Sequence, residues 1–555
     1  MSSFFIGWLG KGTSNLPKGA APRLLIAGAM SMSLGHAVLA AEAEPASGGI
    51  IQYGHEQEPP CLAGPWIQQW YLQRQFSDNL VSRTDDGGIA PWLATSWTVS
   101  DDRKTYIFQI KPGVKFTDGT PLNAQAIVDN FNLWLSDDPE KLNNAATEYV
   151  KRSFQSAQAI GNLTVRIDLK KPYEPLLDVL SQSTFGIQSP TALARGRQAN
   201  CEQPVGSGAF IVVKWNHGQD VILKRNPDYN SAPANAKHQG PAYVDGLVWK
   251  FLREPPVRYG SLVTGESDVI YDVPGVDWAD ANKRFQVIRH ITGGTPLRLQ
   301  LNTAFPPFDD VRVRKAFAYA SDRRKAVEVS YLGAVPYEGN GALSQSSPEY
   351  LSALADAYPY DPDQANRLLD EAGWTARDSD GIRLKNGRKL TVRIVYGAGF
   401  LVTSDGIQAL QIVQEQAREA GFNVLLVPTT QAEFWAGKNR GPHDYEVQPS
   451  YWTATSAEVF QIVWRPDSGN VVNAMNASRF QDATLWSLIE EADQTFDEAK
   501  RIKLYQEAQR IVVDSAAVVG FVPLTVTLAV NPRLKDVWLS SAVGAPVFHD
   551  AYFAK

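Results

Sequence analysis

Residues 104–135 constrain the fold more than any other part of the chain, because they read as strand, turn, extended segment, turn and helix in unbroken succession. From Lys104 to Ile110, the apolar Tyr106, Phe108 and Ile110 alternate with other positions, the period of a strand with one face in a core. Lys111-Pro112-Gly113 is a turn by composition, Val114-Lys115-Phe116 resumes extended chain, and Thr117-Asp118-Gly119-Thr120-Pro121 turns again. Asn123 then caps a helix running to Leu135, with Ala126, Ile127, Asn130, Phe131 and Trp134 at helical spacing. The same alternation continues. Strands are expected at Ile50 to Tyr53, Thr164 to Leu169, Ala209 to Lys214, Asp220 to Lys224, Leu247 to Leu252 and Leu297 to Asn302. Helices are expected at Asp310 to Ser330, Pro362 to Ala372, Asp405 to Ala420 and Gln481 to Asp514, and Tyr445 to Ser468 reads as irregular and aromatic-rich. No repeat and no low-complexity linker divides the chain, so a mixed α/β protein with interleaved domains is expected.

Size permits more than one core: of 555 residues, 44% are hydrophobic and 20% charged. The formal charge is -6, and residues 1–40 hold Lys11, Lys18 and Arg23 but no acid, so the rest is more acidic still. That balance argues against nucleic acid and anionic lipid as partners. With 7 His, 2 Cys, no CxxC and no HExxH, no metal centre and no cofactor are expected.

Lys18 and Arg23 precede the apolar stretch Leu24 to Met30, and small residues follow at Val38-Leu39-Ala40 and Ala41-Glu42-Ala43. This is the pattern of a cleaved signal peptide, placed at 1–41. The apolar run is shorter than the ~20 residues of a membrane span, and no Cys follows it to carry a lipid. A periplasmic protein is expected, and in that oxidising compartment Cys61 and Cys201 are candidates for one disulfide, two separate thiols being the alternative.

The segment Tyr106-Ile-Phe-Gln-Ile-Lys-Pro-Gly-Val-Lys-Phe-Thr-Asp-Gly-Thr-Pro-Leu-Asn-Ala-Gln-Ala-Ile-Val-Asp-Asn-Phe131 resembles the signature of extracytoplasmic solute-binding proteins of family five. Four further segments agree in order: Pro204 to Phe210, Lys224 to Tyr229, Leu301-Asn-Thr303 with Pro307 to Phe317, and Tyr360 to Gly373. By themselves these motifs are mostly structural. Gly113, Gly119, Gly206 and Gly208 supply permissive backbone at turns, and Arg312 and Arg314 read as a helix-surface ion pair before they read as ligand cations.

The resemblance implies a periplasmic binding protein type II-like fold, cluster C, with two lobes joined by hinge strands. The first lobe would take 48–275 plus 517–555, including an inserted subdomain at about 97–200, and the second 276–516. The hinge is expected near Val269 to Val273 and Gly520 to Pro523. The implied function is capture of a peptide-like or other small polar solute by a monomer and delivery to the permease subunits of an ABC transporter.

In peptide-binding relatives a Trp followed three residues later by an Asp anchors the peptide's amino terminus. Here Trp452 matches the aromatic and Thr455 stands where the Asp is expected, so an ordinary free-amino-terminus peptide is disfavoured: a neutral hydroxyl cannot replace the charge-assisted bond a buried ammonium needs. Glu458 is a candidate replacement charge, with an exposed surface Glu as the alternative. Tyr451 and Trp435 are further ligand candidates, and Glu56, Glu58, Trp66, Gln69 and Trp70 follow the first strand. Absence of a GxSxG elbow, a Walker loop and a dinucleotide fingerprint argues against an enzyme, including a hydrolase. A chemosensory or chaperone-like binding protein is the remaining alternative.

Overall fold

The computed structural model describes residues 45–63, 70–136, 138, 147–469 and 472–554. The expected signal peptide lies outside the described residues. Two large sheets carry the fold. The first has seven strands in the order Gln286–Ile291, Thr525–Val530, Val269–Tyr271, Ile50–His55, Gly246–Phe251, Asp220–Arg225 and Phe210–Asn216. The second has five, in the order Asn423–Thr429, Thr391–Gly397, Val447–Thr453, Gly294–Leu301 and Val518–Val522. A four-stranded antiparallel sheet, Ala94–Val99, Thr105–Ile110, Thr164–Leu169 and Phe154–Gly161, belongs to the segment between the first strand and the rest of its sheet.

Local sequence accounts for these elements. Tyr106, Phe108 and Ile110 are all buried in one cluster with Phe131 and Phe154, whose rings stack at 5.0 Å. Each fully buried side chain of this size contributes roughly 1.5–3 kcal/mol. Asn123 caps the helix Ala124–Trp134 by accepting from Ala126 N at 3.0 Å. In the second sheet Leu297, Leu299 and Leu301 point one way, into a core with Phe317, Leu369 and Leu410 from the covering helices. In the first sheet Tyr53 meets Trp249 edge-on at 4.3 Å.

Several expectations change. Asp310 to Ser330 is two helices, Val311–Tyr319 and Arg323–Tyr331, because Asp322 accepts from Lys325 N and starts a new one. Gln481 to Asp514 divides likewise into Ala483–Asp493 and Glu498–Asp514, where Asp497 caps Lys500 N. The irregular stretch contains the strand Val447–Thr453. Gly206 and Gly208 have no positive φ; a Cβ there would lie 2.0 Å from Phe76 O and 2.5 Å from Phe76 C, so close backbone approach is what requires them. Arg312 pairs with Asp310 at 2.6 Å, while Arg314 donates to Ser515 O and Phe308 O, which leaves neither as a ligand cation.

The first crossing between the large sheets lies further along the chain than expected, while the return falls at the end of the expected Gly520 to Pro523. Val269–Tyr271 lies inside the first sheet, between Thr525–Val530 and Ile50–His55, and the chain stays in that sheet through Ile291, beyond the expected division at 275/276. It crosses at Thr292-Gly293 and returns at Pro523-Leu524, and the two crossings are joined by Thr292 N donating to Leu524 O at 2.8 Å.

Cys61 and Cys201 form a disulfide with Cα atoms 4.5 Å apart, and Leu62 N donates to Cys201 O at 3.0 Å. It closes a loop of 140 residues in sequence. Cys61→Ser is expected to lower stability by roughly 2–4 kcal/mol, read from urea melts of the oxidised protein and the variant; equal midpoints would show that the bond does not stabilise the fold.

Candidate functional site

Three adjacent strands of the first sheet run parallel, Ile50–His55 flanked by Gly246–Phe251 and Val269–Tyr271. The chain leaves them at Glu56, Leu252 and Asp272. Ligands of open α/β sheets bind beyond such carboxyl ends. Arg258, fully buried on the helix Pro255–Thr264, holds these exits together: Nε donates to Tyr271 O at 2.7 Å, one terminal nitrogen to Leu252 O at 2.9 Å and Arg253 O at 3.1 Å, and the other to Asp272 O at 3.1 Å and its carboxylate at 3.2 Å.

The second sheet has its own parallel set, Thr391–Gly397 between Asn423–Thr429 and Val447–Thr453. Its exits lead to Phe400, to the short helix Gln431–Trp435, and to Ala454–Glu458. The two sets of exits meet. Gln57 Nε2 donates to Phe400 O at 3.4 Å, and Gly275 N donates to Asp405 Oδ2 at 3.0 Å. The strand ends of the two sheets therefore face one another.

On the first-sheet wall, Glu56 is half-buried and its Oε1 accepts from Gln57 Nε2 at 3.1 Å. Burial and then the neighbouring Asp272 carboxylate push its carboxyl up to about 8, against the opposing Arg258. Burial raises Asp272 as well, with Arg258 opposing, and drives the His55 imidazole down to about 3, so His55 is neutral. Behind them, His55 lies 4.6 Å from Tyr271 and 5.7 Å from Tyr71, ring to ring, and Tyr71 is 5.6 Å from Tyr271. Gln57 Oε1, His55 Nε2 and Tyr53 OH are buried without a hydrogen-bond partner among the described residues. Glu58 turns away from this wall, accepting from Trp215 Nε1 at 3.0 Å and Gly218 N at 2.9 Å. Trp66 and Gln69 lie outside the described residues, and Trp70 opens the helix Trp70–Phe76.

On the second-sheet wall, Tyr451 is half-buried against that sheet's core. Trp452 packs against two clusters at once, the second-sheet helices and the four-stranded subdomain, and its indole Nε1 donates to Tyr149 OH at 2.9 Å. Trp435, 39% exposed, stands 6.1 Å from Phe400. Glu458 departs from both readings of it. It is fully buried, and its Oε1 accepts from Thr455 N at 3.0 Å, Thr455 Oγ1 at 2.8 Å and Gln182 Nε2 at 3.4 Å, while Oε2 takes Ser456 Oγ. It is neither a surface residue nor a free charge; the turn after the strand consumes its lone pairs.

A wide contact joins the subdomain to the second-sheet helices. Arg465 pairs with Glu148 at 2.5 Å, Arg501 with Glu174 at 2.9 Å and Lys171 with Glu490 at 3.2 Å, and Glu174 N donates to Asp493 O at 2.8 Å. Away from these strand exits, His238, His549 and Asp550 gather although His238 is far from the other two in sequence: the histidine rings stack at 4.0 Å, and each Nδ1 faces Asp550 Oδ1, at 2.8 and 3.2 Å. No helix among the described residues is long and apolar enough to cross a membrane.

The profile of "Bacterial extracellular solute-binding proteins, family 5 Middle" matches residues 88–485. The chain belongs to this family. A nickel-binding periplasmic protein of Escherichia coli is 25% identical over 480 residues, covering 84% of this chain and 87% of that one. A glutathione-binding protein of Shigella flexneri is 26% identical over 504 residues, covering 86% and 89%. Among solved structures, NikA from Brucella suis in complex with Fe(III)-EDTA superposes with a TM-score of 0.77 at 23% identity, covering 91% of this chain and all of that one (100%). The fold is that of the family, two-lobed and type II-like, and the protein is a solute-binding protein of the family 5 kind.

Tyr71, Tyr271, Asp272 and Arg258 carry no motif, and sequence reading passes over them as site residues. The signal that exists is indirect: all but Arg258 follow or end an apolar strand or open a helix next to a candidate already chosen.

Proposed function

We propose that the chain is exported by a cleaved signal peptide, closes on a small polar solute in the periplasm and hands it to the permease subunits of an ABC importer. The lobes would be the bodies built on the two large sheets, divided at the crossings Thr292-Gly293 and Pro523-Leu524. The observation that carries this reading is that both sets of parallel strand ends face one another, next to two crossings tied by a backbone hydrogen bond. Two paired crossings let the lobes rotate about a short axis, and periplasmic binding proteins close in that manner. Solute drives closure only through contacts it makes better in the closed form. Here Glu56, Gln57, Tyr271, Tyr451, Trp452 and Trp435 would supply them.

The same geometry speaks against an ordinary peptide held by its amino terminus on the second lobe. Thr455 cannot carry the charge, and its hydroxyl is already given to Glu458. The relatives that bind nickel and glutathione widen the field to metal chelates and modified peptides. Native mass spectrometry of the protein as isolated, followed by a thermal-shift screen of peptides, opines, sugar conjugates and chelates, tests the proposal. The expected result is a saturable rise in Tm with no turnover, worth about 2.7 kcal/mol at a solute concentration of 100 Kd. No shift with any class sinks the binding role. Tight binding of simple dipeptides that Thr455→Ala abolishes sinks the reading of Thr455.

A further inference from the structure

We propose that the body built on the first sheet holds a second binding site, a cavity that takes a small carboxylate between Arg74 and Trp92. The inference does not depend on the solute-binding role. Three segments far apart in sequence wall the cavity: residues 74–92, residues 209–236 and the C-terminal return over residues 538–549. It leaves about 30 Å³ open to the centre of a water molecule, about twice what a single water needs. Ala236 and Trp538 on its wall are only half-buried, which marks the side nearest solvent.

The hydrogen-bonding balance of the cavity calls for an acceptor. Arg74 is 9% exposed and Trp92 6%, and Arg74 Nε and Trp92 Nε1 are both buried without a hydrogen-bond partner among the described residues. The guanidinium lies over the Trp92 ring, 4.8 Å from its centroid, so the two side chains form one corner of the cavity. Trp92 Nε1 approaches Tyr229 OH, which gives its own proton to Asp78 Oδ1 at 3.2 Å. Buried donors left without acceptors are costly.

Charge selects a carboxylate over a neutral acceptor. The other donors of Arg74 go to uncharged oxygens, Asn79 Oδ1 at 3.0 Å and Ser181 O at 2.9 Å. The acid on the same wall, Asp78, bonds hydroxyls instead of the guanidinium: Ser207 Oγ donates at 3.0 Å, Ser231 Oγ at 2.5 Å and Tyr229 OH at 3.2 Å. Both ring nitrogens of His549, also on the wall, face acceptors, Asp550 Oδ1 at 3.2 Å and Gly240 O at 2.8 Å, the arrangement of a doubly protonated ring. A guanidinium this buried is stabilised by a paired anion, and a carboxylate has two oxygens for two N–H donors, in charge-assisted bonds. Phe210 and Trp538 give the carbon end of the acid apolar walls. The small volume restricts the ligand to acids of about the size of formate or acetate.

The test titrates the protein with sodium formate and sodium acetate, and with the neutral isosteres formamide and acetamide, at constant ionic strength, reading Tm and tryptophan fluorescence. The acids are expected to raise Tm along a saturable curve, because the ligand ties together three segments that separate on unfolding, and the amides to leave it unchanged. Arg74→Lys keeps a cation but loses the N–H beside the indole, and is expected to abolish the response. Since Arg74 also bonds Asn79 and Ser181 O, that variant can fail through folding, and Trp92→Phe provides the independent reading. It keeps a ring under the guanidinium and deletes only the indole N–H, and is expected to move the midpoint of the acetate response about tenfold higher, the worth of one charge-assisted hydrogen bond. An acetamide response equal to that of acetate, or an acetate midpoint unchanged in Trp92→Phe, overturns the inference. So does a flat Tm with both acids together with a crystal structure grown in acetate that shows only water in the cavity. Each of these results leaves the solute-binding role where it stands.

Discussion

Arg258→Met is expected to lower folding stability by about 3–5 kcal/mol, the cost of removing one member of a buried charged pair, and to abolish high-affinity solute binding. The size follows from what the guanidinium touches. It is fully buried, and it bonds the main chain at the ends of two parallel strands, Leu252 after Gly246–Phe251 and Tyr271-Asp272 at the end of Val269–Tyr271. Methionine fills similar volume but leaves four carbonyl oxygens without these donors and takes the nearest cation from Asp272. Asp272 also has φ 54, a left-handed conformation that its hydrogen bonds with Arg258 hold in place. Arg258→Lys is expected to recover little, because an ammonium cannot span carbonyls that the planar fork reaches on several sides. Urea melts read the first effect and the thermal-shift screen the second. A midpoint within about 1 kcal/mol of wild type would show that these exits are held by the sheet alone.

What could be read from the sequence was set by range. Thr164–Leu169 matches its expected bounds, and the Asn123 cap is where the pattern put it, because alternation and capping are properties of a few neighbouring residues. The two long helices were read as continuous because apolar spacing persists across Ser321-Asp322 and across Thr495 to Asp497; in each case an Asp side chain bonding forward to a main-chain N–H ended that continuity. The seven-strand order was not legible. It places a strand from residue 50 between strands from 246 and 269, and no local period encodes such a neighbour. The first crossing was not legible for the same reason, since Val269–Tyr271 has the apolar brevity of a crossing but pairs on both sides.

The site divides along the same line. Thr455 and Glu458 are three residues apart, and the missing Asp was visible as a chemical absence; that Glu458 faces back onto Thr455 was not. Glu56 and Asp272 are separated by more than two hundred positions, and their opposition to each other exists only in the folded sheet. Cys61 and Cys201 were approachable because compartment and number narrow the pairing.

Trp452→Ala is expected to weaken solute binding by about tenfold or more, a larger effect on affinity than any other single truncation in the second lobe. Its indole lies where three bodies meet: its strand belongs to the second sheet, its ring packs on the helices behind that sheet and on the four-stranded subdomain, and its N–H reaches Tyr149 OH on the subdomain side. The ring would contact solute and also join the lobes in the closed form, so removing it lowers affinity twice, through lost contact and through a closed state that forms less readily. Tyr149→Phe separates the two contributions. It deletes the hydroxyl acceptor while keeping the ring, and is expected to reduce affinity only by the worth of one hydrogen bond, about 1 kcal/mol or roughly fivefold. The surrounding ion pairs, Arg465 with Glu148 and Lys171 with Glu490, are half-exposed and individually weak, so raising salt should change affinity less than either substitution. If Trp452→Ala and Tyr149→Phe weaken binding equally, the indole serves closure alone; if Trp452→Ala leaves affinity unchanged, it has no part in the site, and the aromatic wall on this lobe is Tyr451 and Trp435.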